Sequence, residues 1–205
     1  VGSEMCIRDR STKKLLPKQK QLLLDANFEI IEADFIEINI KNFELTNVND
    51  NLIFTSQNAV ESVLENPKCN ELSGKPVFCV GMKTKYFLQE NGSEVAVYTD
   101  YASDLAEIIS LIYSNETFTF FSGNLRKDIL PNTLKENQIK FNEIEVYATN
   151  ITSHKIKSKP DGILFFSPSA VESYLKMNTI KNEICFCIGE TTAEALEKRK
   201  IKKII

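Results

Sequence analysis

Small polar residues recur in this sequence at matched places, and their types suit the binding of anions. Residues 52–62 (LIFTSQNAVES) align with 163–173 (ILFFSPSAVES), and six of the eleven positions are identical. A second pair follows in the same order, 78–84 (FCVGMKT) against 186–192 (FCIGETT), sharing Phe, Cys, Gly and Thr. Two ordered matches point to a duplicated unit, and duplicated domains are expected to leave a ligand cleft between them. Each landmark ends an apolar run and opens a helical stretch. Short strand-to-helix turns offer backbone N–H groups and hydroxyls at positive helix ends, which favour anionic ligands. The turns in question hold Ser56, Gly81 with Thr84, Ser122-Gly123-Asn124, Ser167, and Gly189 with Thr191 and Thr192. Any one of these serines also serves as an ordinary helix cap. Five such turns in two matched sets favour a binding surface. Arg126 and Lys127 follow the third turn, as cations that approach an anion or as solvated charges on a helix face.

Other chemistries lack their residues. No loop has the spacing of a dinucleotide fingerprint or a phosphate-binding P-loop, and no nucleophile elbow occurs. The single histidine, His154, stands without a cluster of metal-ligand spacing and reads as a surface-loop residue, so no metal site is expected. Five scattered cysteines (Cys6, Cys69, Cys79, Cys185, Cys187) form no disulfide framework, and Cys185-Phe-Cys187 shares one face of an apolar strand. We expect these to be core cysteines in a reducing compartment.

The elements that must carry the turns alternate along the chain. Apolar runs at 51–55, 75–80, 95–98, 117–121, 162–166 and 184–188 predict strands, and 28–40 and 143–149 read as extended. Between them, 17–26, 59–64, 83–90, 103–113, 131–136, 170–177 and 192–200 predict helices, the first opening on Pro17 and ending near Asn27. Ser103 is the expected N-cap of the fourth. Repeated strand–turn–helix units specify an α/β fold with parallel sheets. The 205 residues, 42% hydrophobic, suffice for one large domain or two small ones. With 25 Lys+Arg against 28 Asp+Glu, the chain lacks the basic excess of a nucleic-acid binder. No apolar run reaches the ~18 residues of a membrane span, so a soluble globular protein is expected.

The termini read differently. Residues 1–10 (VGSEMCIRDR) match no targeting signal, resemble translated adapter sequence, and are expected to be a non-native leader outside the fold. The last residues, 202–205 (KKII), read as a strand, and the carboxy-terminal part is expected to be incomplete.

Six motifs in series resemble the uroporphyrinogen-III synthase family: IFTS at 53–56 with Asn58-Ala59-Val60, Val80-Gly81 with Thr84, and FSGNLR at 121–126 before Leu130-Pro131. Then come VYAT at 146–149, FFSPS at 165–169 and IGETTA at 188–193, so the likeness runs from about residue 11 to 205. Members often carry Pro where Gln57 and Glu190 stand, and continue past position 205. The resemblance implies two flavodoxin-like domains joined by two extended crossings, one discontinuous (11–37 with 151–205) and one of residues 38–150. It implies a lyase that dehydrates linear hydroxymethylbilane and closes the macrocycle with the last pyrrole ring inverted. A cytoplasmic monomer without cofactor, nucleic acid or membrane partner goes with it. Tyr147 matches the tyrosine assigned as the acid, although the residue alone reads better as a half-buried strand tyrosine with a satisfied hydroxyl. The implied substrate-binding set is Ser56, Asn58, Gly81, Thr84, Ser122, Gly123, Asn124, Arg126, Ser167, Ser169, Gly189, Thr191 and Thr192. A non-catalytic binding or sensor module of the same fold is the alternative.

Overall fold

The structure is a computed structural model that describes residues 7–205, and the chain divides into two compact units. One comprises the residues up to Glu37 together with Asn150–Ile205; the other is Ile38–Thr149.

In the larger unit, β3 (Ile36–Ile40, shared with the first unit), β4 (Asn51–Phe54), β5 (Val77–Val80), β6 (Val95–Thr99), β7 (Thr117–Gly123) and β8 (Lys140–Ile151) form one sheet, ordered β3-β8-β7-β4-β5-β6. The pairs β8–β7, β7–β4, β4–β5 and β5–β6 are parallel. Successive strands from β4 are joined through α2 (Gln57–Leu64), α3 (Met82–Glu90), α4 (Ala102–Ile112) and α5 (Ile129–Glu136). Strands buried on both faces need continuous apolar runs, and β4 is buried at all four positions. Its side chains alternate between two cores. Leu52 and Phe54 join Val60, Val63 and Leu88 from α2 and α3, while Ile53 joins Leu105, Ile109, Leu130 and Leu134 from α4 and α5.

The smaller unit orders its strands β10-β9-β1-β2, all parallel: β1 (Ile7–Ser11), β2 (Phe28–Glu32), β9 (Gly162–Phe165) and β10 (Ile184–Cys187). Its helices are α1 (Pro17–Asp25), α6 (Pro168–Met177) and α7 (Glu190–Glu197). In chain order this is 2-1-3-4, the flavodoxin sequence of neighbours. The larger unit, counted from β4, runs 3-2-1-4-5, which is the flavodoxin order entered at a different strand. Ile163, Phe165 and Cys185 pack with Val171, Tyr174 and Leu196 on one face of the smaller sheet.

Several expectations are corrected. Residues 1–6 of the expected leader lie outside the described residues, but Ile7–Ser11 is a central strand paired with both β2 and β9. Its composition, Arg8-Asp9-Arg10, hides it from a search for apolar runs. The extended stretch 28–40 is broken at 33–35, where Phe35 turns fully into the core. Helix α4 starts one residue earlier than expected; Tyr101 is its N-cap, and Ser103 instead donates to Asp104 within the first turn. At 203–205 the chain pairs in parallel with β10, as the strand reading expects, through the bridge of Ile204 to Cys185 and the backbone hydrogen bonds of Lys203 and Ile205. Helix α1 ends as read, with Asn27 left-handed at φ 60° just past it.

The charged central strand carries an electrostatic cost. Asp9 is 3% exposed and its Oδ1 has no hydrogen-bond partner. Only the missing side chain of Gly162 leaves room for this carboxylate: a methyl there would overlap Asp9 and come within 2.9 Å of Phe186. Burial, and then the Asp161 charge, push the Asp9 carboxyl above its ordinary pKa. A raised carboxylate pKa means the folded state binds the proton more tightly, so its cost is fully present at neutral pH. That cost fades as pH falls through the folded pKa toward the unfolded value near ~3.9. Asp9→Asn is therefore expected to raise stability at pH 7 by about 1–2 kcal/mol, the desolvation cost of an unsatisfied group. Urea midpoints measured at pH 7 and pH 4 check this. The gain should shrink toward zero at the lower pH, and an equal gain at both would contradict the assignment.

Candidate functional site

Ser56 follows β4 and caps α2, accepting the Ala59 N–H at 3.2 Å with φ −155° and ψ 151°. Its counterpart Ser167 follows β9 and caps α6, accepting the Ala170 N–H at 3.1 Å with φ −162° and ψ 157°. The repeat read in the sequence is thus a repeated cap. In each helix the earliest N–H groups lack intrahelical acceptors and form a positive end. In α2 these belong to Gln57 and Asn58, which lie inside the first turn.

The second repeated landmark is only partly equivalent. Gly81 caps α3 at φ 89°, a conformation that favours glycine, whereas Gly189 caps α7 in extended backbone that any residue adopts. Thr84 and Thr192 take the same third position of their helices and are both buried, at 4% and 2% exposure. Thr191 is exposed. Gln57 Nε2 donates to the Lys83 carbonyl at 3.2 Å, tying the turn after β4 to the one after β5. In the smaller unit Ser167 and Ser169 exchange a hydroxyl hydrogen bond of 3.0 Å.

The strongest convergence is around Tyr147. The β7–β8 ladder pairs Ser122 with Glu145 but Gly123 with Tyr147, so β8 carries one extra residue, Val146, at that point. Strict alternation would send Val146 and Tyr147 to opposite faces. The bulge lets both pack against the same core cluster, with Val146 fully buried and Tyr147 partly so. The Tyr147 ring lies directly over Gly123. A methyl group there would come within 2.6 Å of Cε2 and 2.7 Å of Cε1. The Tyr147 hydroxyl is 3.0 Å from Ser56 Oγ.

Asn124 extends the ladder beyond the end of β7. Its backbone N–H donates to the Tyr147 carbonyl at 3.3 Å. Its side chain accepts the Thr149 N–H at 2.8 Å and donates to the Thr149 carbonyl at 3.4 Å. One amide thereby replaces a missing strand residue on both sides of Thr149.

Below this, Glu143 accepts from Ser122 Oγ at 2.6 Å and from Arg126 through Nε and Nη2, at 2.5 and 3.0 Å. Arg126 also pairs with Asp128. Burial works against ionisation of Glu143, but the hydrogen bonds from Arg126 and Ser122, with the guanidinium charge, outweigh it and hold the carboxyl below its ordinary value. Hydrogen bonding to Glu143 raises the Arg126 pKa further. The cation expected to meet an anionic ligand is therefore held between two carboxylates, where it fixes the turn.

The structure thus brings Ser56, Ser122, Gly123, Asn124, Arg126 and Tyr147 into one hydrogen-bonded group. Gly81 and Thr84 lie on the neighbouring strand–helix turn, and Ser167, Ser169, Gly189, Thr191 and Thr192 form the matching turns of the other unit. Sequence reading misses Glu143, which stands 17 residues from Arg126 and reaches it only through strand pairing. His154 sits in a loop as expected, its Nε2 at 2.8 Å from the Asp34 carbonyl and its ring edge-on to Phe35. Cys79 and Cys185 are buried, and desolvation pushes their thiols up to about 11 and about 12. They are core residues rather than nucleophiles.

Gly123→Ala should cost about 1–3 kcal/mol, the range for overpacking a close-packed site. Paired with Tyr147→Ala, which removes the ring, most of that cost should vanish. A double-mutant cycle in urea checks the contact, and additive losses would contradict it.

Known proteins resemble this chain in sequence and fold. Residues 18–205 match the family model described as Uroporphyrinogen-III synthase HemD. A "Porphyrin biosynthesis protein HemD" from Ruminiclostridium josui is 25% identical over 177 residues, or 75% of this chain, and the chain spans 34% of that relative's length. The fold resembles that of uroporphyrinogen-III synthetase from Helicobacter pylori, with TM-score 0.72, 22% identity, and coverage of 97% of this chain and 92% of the other. A mutant uroporphyrinogen III synthase from Thermus thermophilus gives TM-score 0.71 at 14% identity with the same coverage. A family match spanning nearly the whole chain leads to one conclusion: this protein belongs to the uroporphyrinogen-III synthase family.

Proposed function

We propose that the protein converts linear hydroxymethylbilane to uroporphyrinogen III, working as a cytoplasmic monomer. The observation that carries this reading is the Tyr147 hydroxyl, held 3.0 Å from Ser56 beside the positive end of α2. In this reaction a hydroxyl leaves as water, the terminal pyrrole ring inverts, and the macrocycle closes. The substrate is a flexible polycarboxylate that loses water and cyclises readily without inversion. The enzyme's work is therefore to hold a conformation that disfavours direct closure, and to assist departure of the hydroxyl.

The residues supply both functions. Helix N-termini behind Ser56, Gly81, Ser167 and Gly189, with the hydroxyls of Ser169 and Thr191, suit substrate carboxylates without requiring a basic surface. Asn58 adds a first-turn amide. Ser122, Gly123, Asn124 and Arg126 shape the turn against which the reacting end of the substrate lies. Tyr147 is the acid: its proton goes to the leaving oxygen, the C–O bond breaks, and the bonding pair departs with water. A tyrosine suits the task because it delivers a proton without placing a carboxylate among the substrate's carboxylates.

A coupled assay tests the proposal. Purified protein receives freshly generated hydroxymethylbilane, and the oxidised porphyrin isomers are separated by chromatography. The type III isomer should exceed the spontaneous type I product, and Tyr147→Phe should lower the rate about a hundredfold or more, within the usual range for loss of general acid catalysis. Type I product alone from folded protein would overturn the assignment.

A further inference from the structure

We infer that Ser56 acts through Tyr147 as a positioning residue, donating its hydroxyl hydrogen to the tyrosine oxygen while the α2 amide of Ala59 donates to Ser56. The inference rests on the proposed dehydration and gives Ser56 a role other than direct contact with substrate. A serine hydroxyl has one proton and two acceptor sites. One acceptor site is taken by the Ala59 N–H at 3.2 Å, and the Tyr147 oxygen stands at 3.0 Å. A hydroxyl that accepts from a charged or dipolar donor becomes a better donor itself, and here the donor is a helix N-terminus. With Ser56 donating, the Tyr147 proton is directed away from the serine and is free for a leaving oxygen. With the opposite polarity that proton would be spent on Ser56.

Three further contacts hold the tyrosine oxygen to this one partner. Gly123 leaves room for the ring and no more. The bulge at Val146 sets the face from which the ring emerges. Asn124 fixes the backbone of β8 at the residue and just after it, at the Tyr147 carbonyl and at Thr149. Since ring and backbone are both fixed, the tyrosine oxygen has little freedom to leave the Ser56 hydroxyl for another protein donor.

During departure the Tyr147 O–H bond breaks and the proton joins the leaving hydroxyl, which leaves as water with the C–O electron pair. The adjacent pyrrole nitrogen supplies electron density to the carbon left behind. The phenolate then accepts the Ser56 hydrogen bond, backed by the positive end of α2. Closure with inversion forms a C–C bond at each α-carbon of the last pyrrole and breaks the bond that had joined that ring to the chain, and the proton released as the ring recovers its aromaticity restores the phenol. The balance is one water lost, with no other reagent consumed.

The test is a double-mutant cycle in the coupled assay with the full chain: native, Ser56→Ala, Tyr147→Phe and both together, with Ser56→Thr as the conservative variant. Ser56→Ala should lower kcat about tenfold with KM within about twofold, and Ser56→Thr should restore most of it. In the Tyr147→Phe background, Ser56→Ala should change kcat less than about twofold, since the group it serves is gone. Equal losses in both backgrounds, or a loss confined to KM, would overturn the role. Should Ser56→Ala fold poorly for want of its cap, Ser56→Asp keeps a good cap without a donor. It should be as slow as Ser56→Ala; activity like that of the native chain would overturn the role. A native chain that makes no type III product overturns the dehydration itself, a result distinct from equal losses in an active enzyme.

Discussion

The site depends on one irregularity in a parallel ladder: the extra residue in β8 opposite Gly123. Parallel pairing otherwise sends successive side chains to opposite faces. The bulge breaks that rule at Val146, so a core residue and the candidate acid both meet the same cluster. Its consequences are local and cumulative. Tyr147 comes to lie over a residue that has to be glycine, and its oxygen reaches the cap of the helix that follows β4, two strands away in the sheet. Asn124 then completes the ladder that the bulge interrupts. A chemical group is thereby fixed by backbone geometry, which costs no side-chain entropy at the moment of reaction.

Electrostatics around this point are arranged by dipoles more than by charges. Arg126 is bonded to Glu143 and Asp128, so its cation is neutralised locally while its fork sets the shape of the turn. What remains for an anionic substrate is a series of helix N-termini at the carboxyl ends of parallel strands, the place where open α/β sheets bind ligands. This agrees with the proposed polycarboxylate substrate in a chain whose acidic residues slightly outnumber its basic ones. The duplication read from LIFTSQNAVES and ILFFSPSAVES finds its physical meaning here. Ser56 and Ser167 are the same cap made twice, within a tenth of an ångström in the bond they accept.

How much the sequence displays follows from how local each feature is. Strands β4, β5 and β7 announce themselves as apolar runs because they are buried on both faces. Strand β1 does not, since Arg8, Asp9 and Arg10 put charge into a central position that the fold tolerates through Gly162. Ser103 looks like a cap by type and place, yet the helix begins at Ala102 and Tyr101 takes the capping position. The small polar turns are legible because capping chemistry is written in adjacent residues. The Glu143–Arg126 pair and the seating of Tyr147 on Gly123 are illegible, because each joins residues through strand register, and a one-residue bulge that no local pattern marks decides the second. The two sheets also show that a common order of neighbours accommodates different points of chain entry, which periodicity alone does not reveal.

On the proposed function, the turns at the carboxyl ends of the strands receive the polycarboxylate. The most direct measurement is a map of backbone amide NMR shifts in the full chain titrated with uroporphyrin III, the stable oxidised form of the proposed product. The account predicts shifts concentrated at 56–59, 81–84, 122–126, 147–149, 167–170 and 189–192. Shifts centred on the lysine-rich segment 155–159 at the amino-terminal edge of the smaller sheet, with these turns unmoved, would contradict it.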